Sequence, residues 1–489
     1  MQKVQQDFAN AAHAASLASL WVERNQSLEP ELQEIAPDVL VNLGRATTLA
    51  GYSVQNLAHR PTIGLFGASQ AGKSYLVSSL AAGPNGKLST HWDQAEIDFI
   101  RHVNPSGNNS EATGFATRFT HEHHANPVGY PIELKVLGEM ELCMILINAF
   151  FADINQSDVK VSDNEDYYLK HLDQCESFVD HAVAQQFITY PDKLLASGVV
   201  VAGASGTGGT GSAASTGGAA AGGAAAGGAD GSNSTLNLIG PAGYDYFVAG
   251  RTINVNGQVE SNYIYPEQVL ELADYVTTNS NGKLGGLDAM PKFWLRLSRM
   301  LPFMTLEGRI KTLSIFWQNL AVFNETYRTL ATELLSLRGH SVIFAPMQAF
   351  VTPMPDGSLM QNATGTIMHI TKLSTMFRDT ATLTCALARP RESSASGELE
   401  VEATVQVNVS RLAALALELR FNLESSGSLD KFDVLDLPGA RSRDVVLLKD
   451  VIDDSAKFQP GKPLDDAMQM RGSEFFRRGK VGYLFERYA

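Results

Sequence analysis

Cysteine is scarce: Cys143, Cys175 and Cys385 are the three in 489 residues, and no two stand in a CxxC pair. That excludes a disulfide framework and a zinc-ligand spacing, and makes a reducing compartment the simplest home. Basic residues form no long run, and 38 Lys+Arg against 52 Asp+Glu leave a net charge of −14. A chain of that balance lacks the cationic surface that holds nucleic acid by neutralising phosphates. Long apolar runs are missing too. The most apolar stretch, Leu142 to Ala152 with Asn148 inside it, falls short of the roughly 20 residues a membrane helix needs. The N-terminus breaks its apolar positions with Gln, Asp, Asn and His, unlike a signal-peptide core. The expectation is a cytoplasmic protein with no transmembrane segment and no nucleic-acid partner, with export as an effector left open. At roughly 150 residues per domain, the length gives about two to four domains.

What is present is organised in blocks. Val4, Phe8, Ala11, Ala14, Leu17 and Trp21 recur at three- and four-residue steps, and a similar segment runs from about Pro30 to Gly51, predicting N-terminal helices over 1–58. Residues 139–202 and 235–340 read as helical inserts. Between them, every residue of 203–234 is Gly, Ala, Ser, Thr, Asp or Asn, a composition that predicts a flexible linker. From Val342 to Val409 the period changes to two, in SVIFAPM, GTIMHIT, TATLTCALA and LEVEATVQVNV, with Pro-Asp-Gly and Ser-Ser-Ala-Ser-Gly turns between. Arg411 to Leu423 returns to helical spacing, so 341–424 reads as a small antiparallel sheet plus a helix.

The strongest signal is an apolar strand, Thr62 to Phe66, followed by Gly67-Ala68-Ser69-Gln70-Ala71-Gly72-Lys73-Ser74 and a helix from Tyr75 to Ala82. This is G-x-x-x-x-G-K-[S/T] in its required strand–loop–helix setting. The glycines let successive backbone N–H groups curl around a β-phosphate, and the helix start adds its positive dipole. Lys73 would bridge β- and γ-phosphate oxygens, and the Ser74 hydroxyl would ligate Mg²⁺. Downstream, Phe432-Asp-Val-Leu-Asp436-Leu-Pro-Gly439 is a short apolar strand ending in D-x-x-G. There a carboxylate reaches the metal, and the glycine N–H can meet the γ-phosphate. Thr113, in the loop before the strand through Thr120, is the candidate nucleotide-sensing threonine, with Thr117 and Thr120 as rivals. Tyr130 to Leu137 reads as the hairpin partner of that strand. The candidate catalytic residues are therefore Lys73, Thr113 and Asp436. Ser74, Thr113 and Asp436 are the metal ligands, and Gly67 through Ser74 with Gly439 form the nucleotide-binding set.

The DLPG spelling resembles the third motif of dynamin-like GTPases. More closely, NP...EATGFATRFT, YPIELKVLGEMELCMILINAFFADIN and FDVLDLPGARSR resemble the bacterial SrfC-type virulence factors. The resemblance implies an α/β fold: a P-loop NTPase core over 59–138 and 425–489, interrupted by a large helical and antiparallel-β insertion, with 203–234 as a variable insert. It implies Mg²⁺ and GTP or ATP as cofactors, hydrolysis of the β–γ bond with GTP ahead of ATP, and a protein partner bound through the insertion. The alternative is an interaction or effector protein whose P-loop is structural or only binds nucleotide. A transporter-type ATPase is disfavoured because no LSGGQ-like signature occurs and Leu437 stands directly after Asp436.

Two departures qualify the resemblance. No [N/T]KxD guanine-specifying motif occurs, and the chain ends at Ala489, soon after Gly439, which suggests an incomplete core. Three other clusters have plainer readings. His121-Glu-His-His124 reads as a solvated turn, since adjacent strand residues face opposite ways. Gly282 to Gly286 lacks a leading strand, and Arg441 and Arg443 read as surface charge. Phe475 to Lys480 reads as an amphipathic helix end that lost its packing partner.

Overall fold

The computed structural model describes residues 2–58, 60–67, 73–82, 86–104, 113–123, 125–152, 162, 164–186, 248–279, 290–362, 365–391, 398–424, 431–439 and 448–488. The expected linker at 203–234 lies outside them.

Helices α1 (Gln2–Asn25) and α2 (Pro30–Ala58) come first, as the apolar spacing predicts, and meet through buried Val22, Ala36 and Leu40. Strand β1 (Thr62–Leu65) and α3 (Lys73–Ala81) follow. Then come the β2 (Ser89–Trp92) and β3 (Ala95–Asp98) hairpin, β4 (Ala116–Thr120) and β5 (Ile132–Val136). The helical body comprises α4 (Glu139–Ala152), α5 (Glu165–Cys175), α6 (Pro266–Asn279), α7 (Pro291–Met300), α8 (Leu306–Leu313) and α9 (Ala321–Ser336). Within it sits a hairpin of β6 (Arg251–Val255) and β7 (Gln258–Asn262). Next are β8 (Val342–Ala345), β9 (Val351–Pro353), β10 (Leu359–Gln361), β11 (Thr382–Pro390) and β12 (Leu399–Asn408). They lead to α10 (Val409–Leu415), β13 (Ala416–Asn422), β14 (Asp433–Asp436), α11 (Leu448–Lys457) and α12 (Asp466–Tyr488).

Eight strands form one mixed sheet in the order β1-β14-β4-β13-β5-β8-β11-β12. β1 pairs parallel to β14 and β13 parallel to β4, while the other neighbours are antiparallel. The architecture is mixed α/β, with three corrections to the local readings. Arg411 to Leu423 is not one helix: α10 stops at Leu415 and β13 begins at Ala416. β5 is not the neighbour of β4, because β13 lies between them. β8, β11 and β12 do not make a sheet of their own but extend the large one, leaving only β9 and β10 as a separate pair turned by Pro355-Asp356-Gly357.

The β6–β7 hairpin was legible. Asn256 and Gly257 have φ of 52° and 80°, the left-handed pair that an Asn-Gly turn between alternating strands supplies. The helical reading of 235–340 passes over it.

Strand alternation gives the sheet two unlike faces. One carries Phe119, Phe421 and Val434, with Phe99 packed edge-on at 4.8 Å from Phe119 and Trp92 at 6.3 Å from Phe421. The other carries ions: Arg118 Nε donates to Glu418 at 2.6 Å, and Arg118 Nη1 lies 3.4 Å from Asp433. Glu418 stands opposite Lys135, and Arg420 opposite Glu133. Helix α12 reaches this face through Tyr488, whose hydroxyl donates to Glu418 at 3.0 Å.

Helix α4 is apolar nearly all round and is buried from Met140 to Phe151 apart from Glu141 and Asn148, as a helix inside a core must be. α12 crosses it at Gly479, where a Cβ would stand 2.3 Å from Ile145 O. This corrects the reading of Phe475 to Lys480: Phe475, Phe476, Arg477 and Lys480 are all buried. The segment is a packed core element. Cys143, Cys175 and Cys385 are buried and form no disulfide, and no described helix is long and apolar enough to cross a membrane.

Candidate functional site

β1 and β14 run parallel with Leu65 opposite Asp436, so both strands finish at the same end of the sheet. β4 runs antiparallel to β14, with Thr117 opposite Asp436, so β4 begins at that end. Three segments therefore meet there: the loop after β1, the turn after β14, and the chain leading into β4.

In the first segment, Gly67 has φ of 156°, a conformation that a residue with a Cβ rarely adopts. Lys73 opens α3, and its Nζ donates to Gly67 O at 3.0 Å, drawing the two ends of the loop together. Ala68, Ser69, Gln70, Ala71 and Gly72 lie outside the described residues, as does the side chain of Ser74. α3 is anchored by buried Val77 and Ala81, while Tyr75 and Leu76 on its other side are exposed.

In the second segment, Asp436 is half-buried at the last position of β14, and Leu437, Pro438 and Gly439 are buried. The Leu437 N–H donates to Leu65 O at 3.4 Å, extending the pairing one step past the strands. Arg441 and Arg443 lie outside the described residues.

The third segment holds the feature least legible in sequence. Thr113 forms a lone antiparallel bridge with His369, and the Gly114 N–H donates to Met368 O at 2.7 Å. The candidate sensor is thus tied to a part of the insertion remote from it in sequence. Of the rivals, Thr117 and Thr120 are both buried within β4, and Thr120 Oγ1 accepts the Glu122 N–H at 3.1 Å. Beneath the segment, Phe115 is buried, with Lys480 Nζ 5.7 Å from its ring centroid. No motif marks Met368, His369 or Lys480, because these contacts join residues far apart along the chain.

Charge near this end is set by burial. Lys480 Nζ donates to Ala413 O at 2.9 Å, and desolvation pushes its ammonium well below its ordinary range. His369 is lowered by burial and by nearby Lys372. Along the ionic face, burial acts to raise Glu418, but the Arg118 guanidinium, with Lys135 and Tyr488, overcomes it and holds the carboxyl at about 2. Among the described residues, no group of three His, Cys, Asp or Glu side chains could by itself hold a metal. At the histidine turn, Glu122 instead pairs with Arg420 at 3.1 Å, and His124 and Gly282 to Gly286 lie outside the described residues.

These elements define a mixed α/β protein whose edge strand feeds a lysine-closed loop and lies beside an aspartate-ended strand. The chain belongs to the family described as "Putative bacterial virulence factor", which matches residues 18–187 and 254–489. The unmatched stretch between contains the Gly- and Ala-rich segment 203–234. No curated protein and no solved structure matches the chain.

Proposed function

We propose that this virulence-factor family member is a Mg²⁺-dependent P-loop nucleotide-binding protein, a GTPase-like switch or hydrolase built on the loop Gly67–Ser74. The observation that carries the reading is the parallel register of β1 on β14, with Leu65 opposite Asp436. It sets the ends of the G-x-x-x-x-G-K-S loop and the D-x-x-G turn side by side, the arrangement that phosphoryl-transfer proteins of this class use.

In this reading Lys73 leaves Gly67 O for the β- and γ-phosphates, and the loop N–H groups with the α3 N-terminus cradle the β-phosphate. Asp436, Ser74 and Thr113 offer the hard oxygens that suit Mg²⁺. Bound there, the ion would neutralise charge on the β- and γ-oxygens. The position of Asp436 at a strand end fits this role: the residue as a whole is half-buried, and the sheet holds its carboxylate with Oδ1 buried. The Gly439 N–H would meet the γ-phosphate. The DLPG spelling puts GTP ahead of ATP.

The test is equilibrium binding of fluorescent GTP and ATP analogues, with and without Mg²⁺, to the wild type and to Lys73→Ala. Loss of a charged hydrogen-bonding group of about 1.5–3 kcal/mol should weaken Mg²⁺-dependent binding by roughly 10- to 150-fold. Equal affinity of the two proteins, or no binding by the wild type, overturns the reading.

One observation favours the interaction-protein alternative. Trp21, Leu28, Ile35 and Leu49 on the α1–α2 hairpin are each more than half exposed, apolar side chains that a partner protein could cover. If a partner protein binds Lys73→Ala as tightly as wild type, with or without nucleotide, the interaction reading prevails and the loop is structural.

A further inference from the structure

Resting on that nucleotide reading, we infer that the segment Thr366–Thr375 is the relay through which the phosphate state at the loop after β1 reaches α10 and α12. The argument starts from what holds Thr113. The strand pairing of β4 with β13 begins only at Ala116. Ahead of it, Thr113 and Gly114 are linked through their backbone to the insertion, by the bridge to His369 and the Gly114 N–H on Met368 O. A threonine so attached cannot move toward or away from a γ-phosphate without breaking those links or carrying Met368 and His369 with it.

The junction is also closely packed. A Cβ on Gly114 would stand 3.0 Å from Leu373 Cδ1, 3.5 Å from Met368 O and 3.7 Å from Ile370 Cα. Leu373 and Ile370 belong to a short 3₁₀ helix, Ile370–Thr375, and both are buried. His369 caps that helix, its Nδ1 accepting the Thr371 N–H at 3.2 Å. Displacement at Gly114 therefore presses directly on the helix.

From there two rigid elements receive the motion. Thr375 Oγ1 lies 2.8 Å from Ser410 Oγ, and Arg411 Nε donates to Met376 O at 3.3 Å, both on α10. Just beyond, Arg378 Nε donates to Gln469 Oε1 at 3.0 Å, and a Cβ on Gly472 would meet the Phe377 ring at 3.4 Å, both on α12. α10 runs straight into β13, the parallel neighbour of β4. Both ends of the relay thus rest on the strands beside the site. Two sites coupled through one element influence each other reciprocally.

The experiment is hydrogen exchange on the full chain with Mg²⁺ and a non-hydrolysable GTP or ATP analogue, against the corresponding diphosphate. Binding is followed separately by nucleotide fluorescence. The triphosphate is expected to slow exchange across residues 366–376 and at Gly114 by about tenfold relative to the diphosphate, within the usual range of coupling. In His369→Ala, which removes only the cap, reciprocity predicts about fivefold or more weaker triphosphate binding with diphosphate affinity unchanged. The relay is overturned if the analogue binds and protects 67–74 while 366–376 exchanges alike in both states, or if His369→Ala binds both nucleotides as wild type does. Absence of nucleotide binding by fluorescence is a separate result: it removes the parent reading, and the relay with it.

Discussion

Leu65 and Asp436 are register partners in the parallel pair at the sheet edge, and the Leu437 N–H continues the ladder onto Leu65 O. Residues separated by most of the chain thereby share one end of one sheet, and that pairing leads to the first prediction.

Asp436→Asn keeps the shape of a half-buried strand-end side chain while removing its charge. Nucleotide binding is expected to lose its Mg²⁺ dependence, with affinity in Mg²⁺ falling about tenfold, while the thermal midpoint moves by no more than a few degrees. Titration of Mg²⁺ against fluorescent nucleotide, paired with calorimetry, checks both parts. Full Mg²⁺ dependence in the variant would remove Asp436 from the proposed Mg²⁺ ligands.

Gly479→Ala should destabilise, against the usual sign. Inside a helix, Ala normally gains about 0.5–1 kcal/mol over Gly. Here the new Cβ would stand 2.3 Å from Ile145 O and 2.9 Å from Ala149 Cβ, both on α4. Forcing the helices apart costs about 1–3 kcal/mol, so denaturant unfolding should show a net loss.

Lys480→Met tests the buried amine. Lys480 is fully buried, and desolvation holds its pKa well below the ordinary 10.5, so the folded chain carries it uncharged over a pH range where the unfolded chain is protonated. The unfolded state then binds more protons, and stability rises with pH from the lowered folded value up to 10.5, by as much as about 1.4 kcal/mol per pH unit for one proton. Methionine fills similar space without that cost. The variant should be more stable at neutral pH, and the difference should shrink toward pH 10. A difference between wild type and variant that does not change over that range would mean that the amine is charged when folded.

Glu418 runs the other way. Its carboxyl is held at about 2 against an ordinary 4.5, so its contribution is complete above 4.5 and is lost as pH falls toward 2. Glu418→Ala leaves Arg118, which is 13% exposed, without its closest acid partner. Removing one member of a buried pair costs about 3–5 kcal/mol. Urea unfolding at pH 7 should show that loss, and the gap between variant and wild type should narrow near pH 2. A gap independent of pH would assign the loss to packing.

The helices α1 and α2, the strand–loop–helix around Gly67 and the β9–β10 turn were legible from sequence. Each rests on signals a few residues apart: three- and four-residue apolar spacing, a glycine-framed loop, a Pro-Asp-Gly turn. β13 was not. Ala416-Leu-Glu-Leu-Arg-Phe-Asn422 is buried on both faces apart from its last residue, and its run continues the apolar pattern of α10, so periodicity alone joins the two. Only its neighbours decide: Ala116 to Thr120 on one side and Glu133 to Val136 on the other supply the hydrogen bonds that make it a strand.

The site divides the same way. Gly67, Lys73, Asp436 and Gly439 are candidates that sequence alone names, because a G-x-x-x-x-G-K-S loop and a D-x-x-G turn are local patterns. That Asp436 stands beside Leu65, that Thr113 is tied to His369, and that Lys480 is buried over Phe115 were decided by the tertiary structure. Sequence by itself determines which short segments can bend, cap or alternate. Which of them become neighbours depends on burying one core with every strand paired, a condition that only the whole chain can meet.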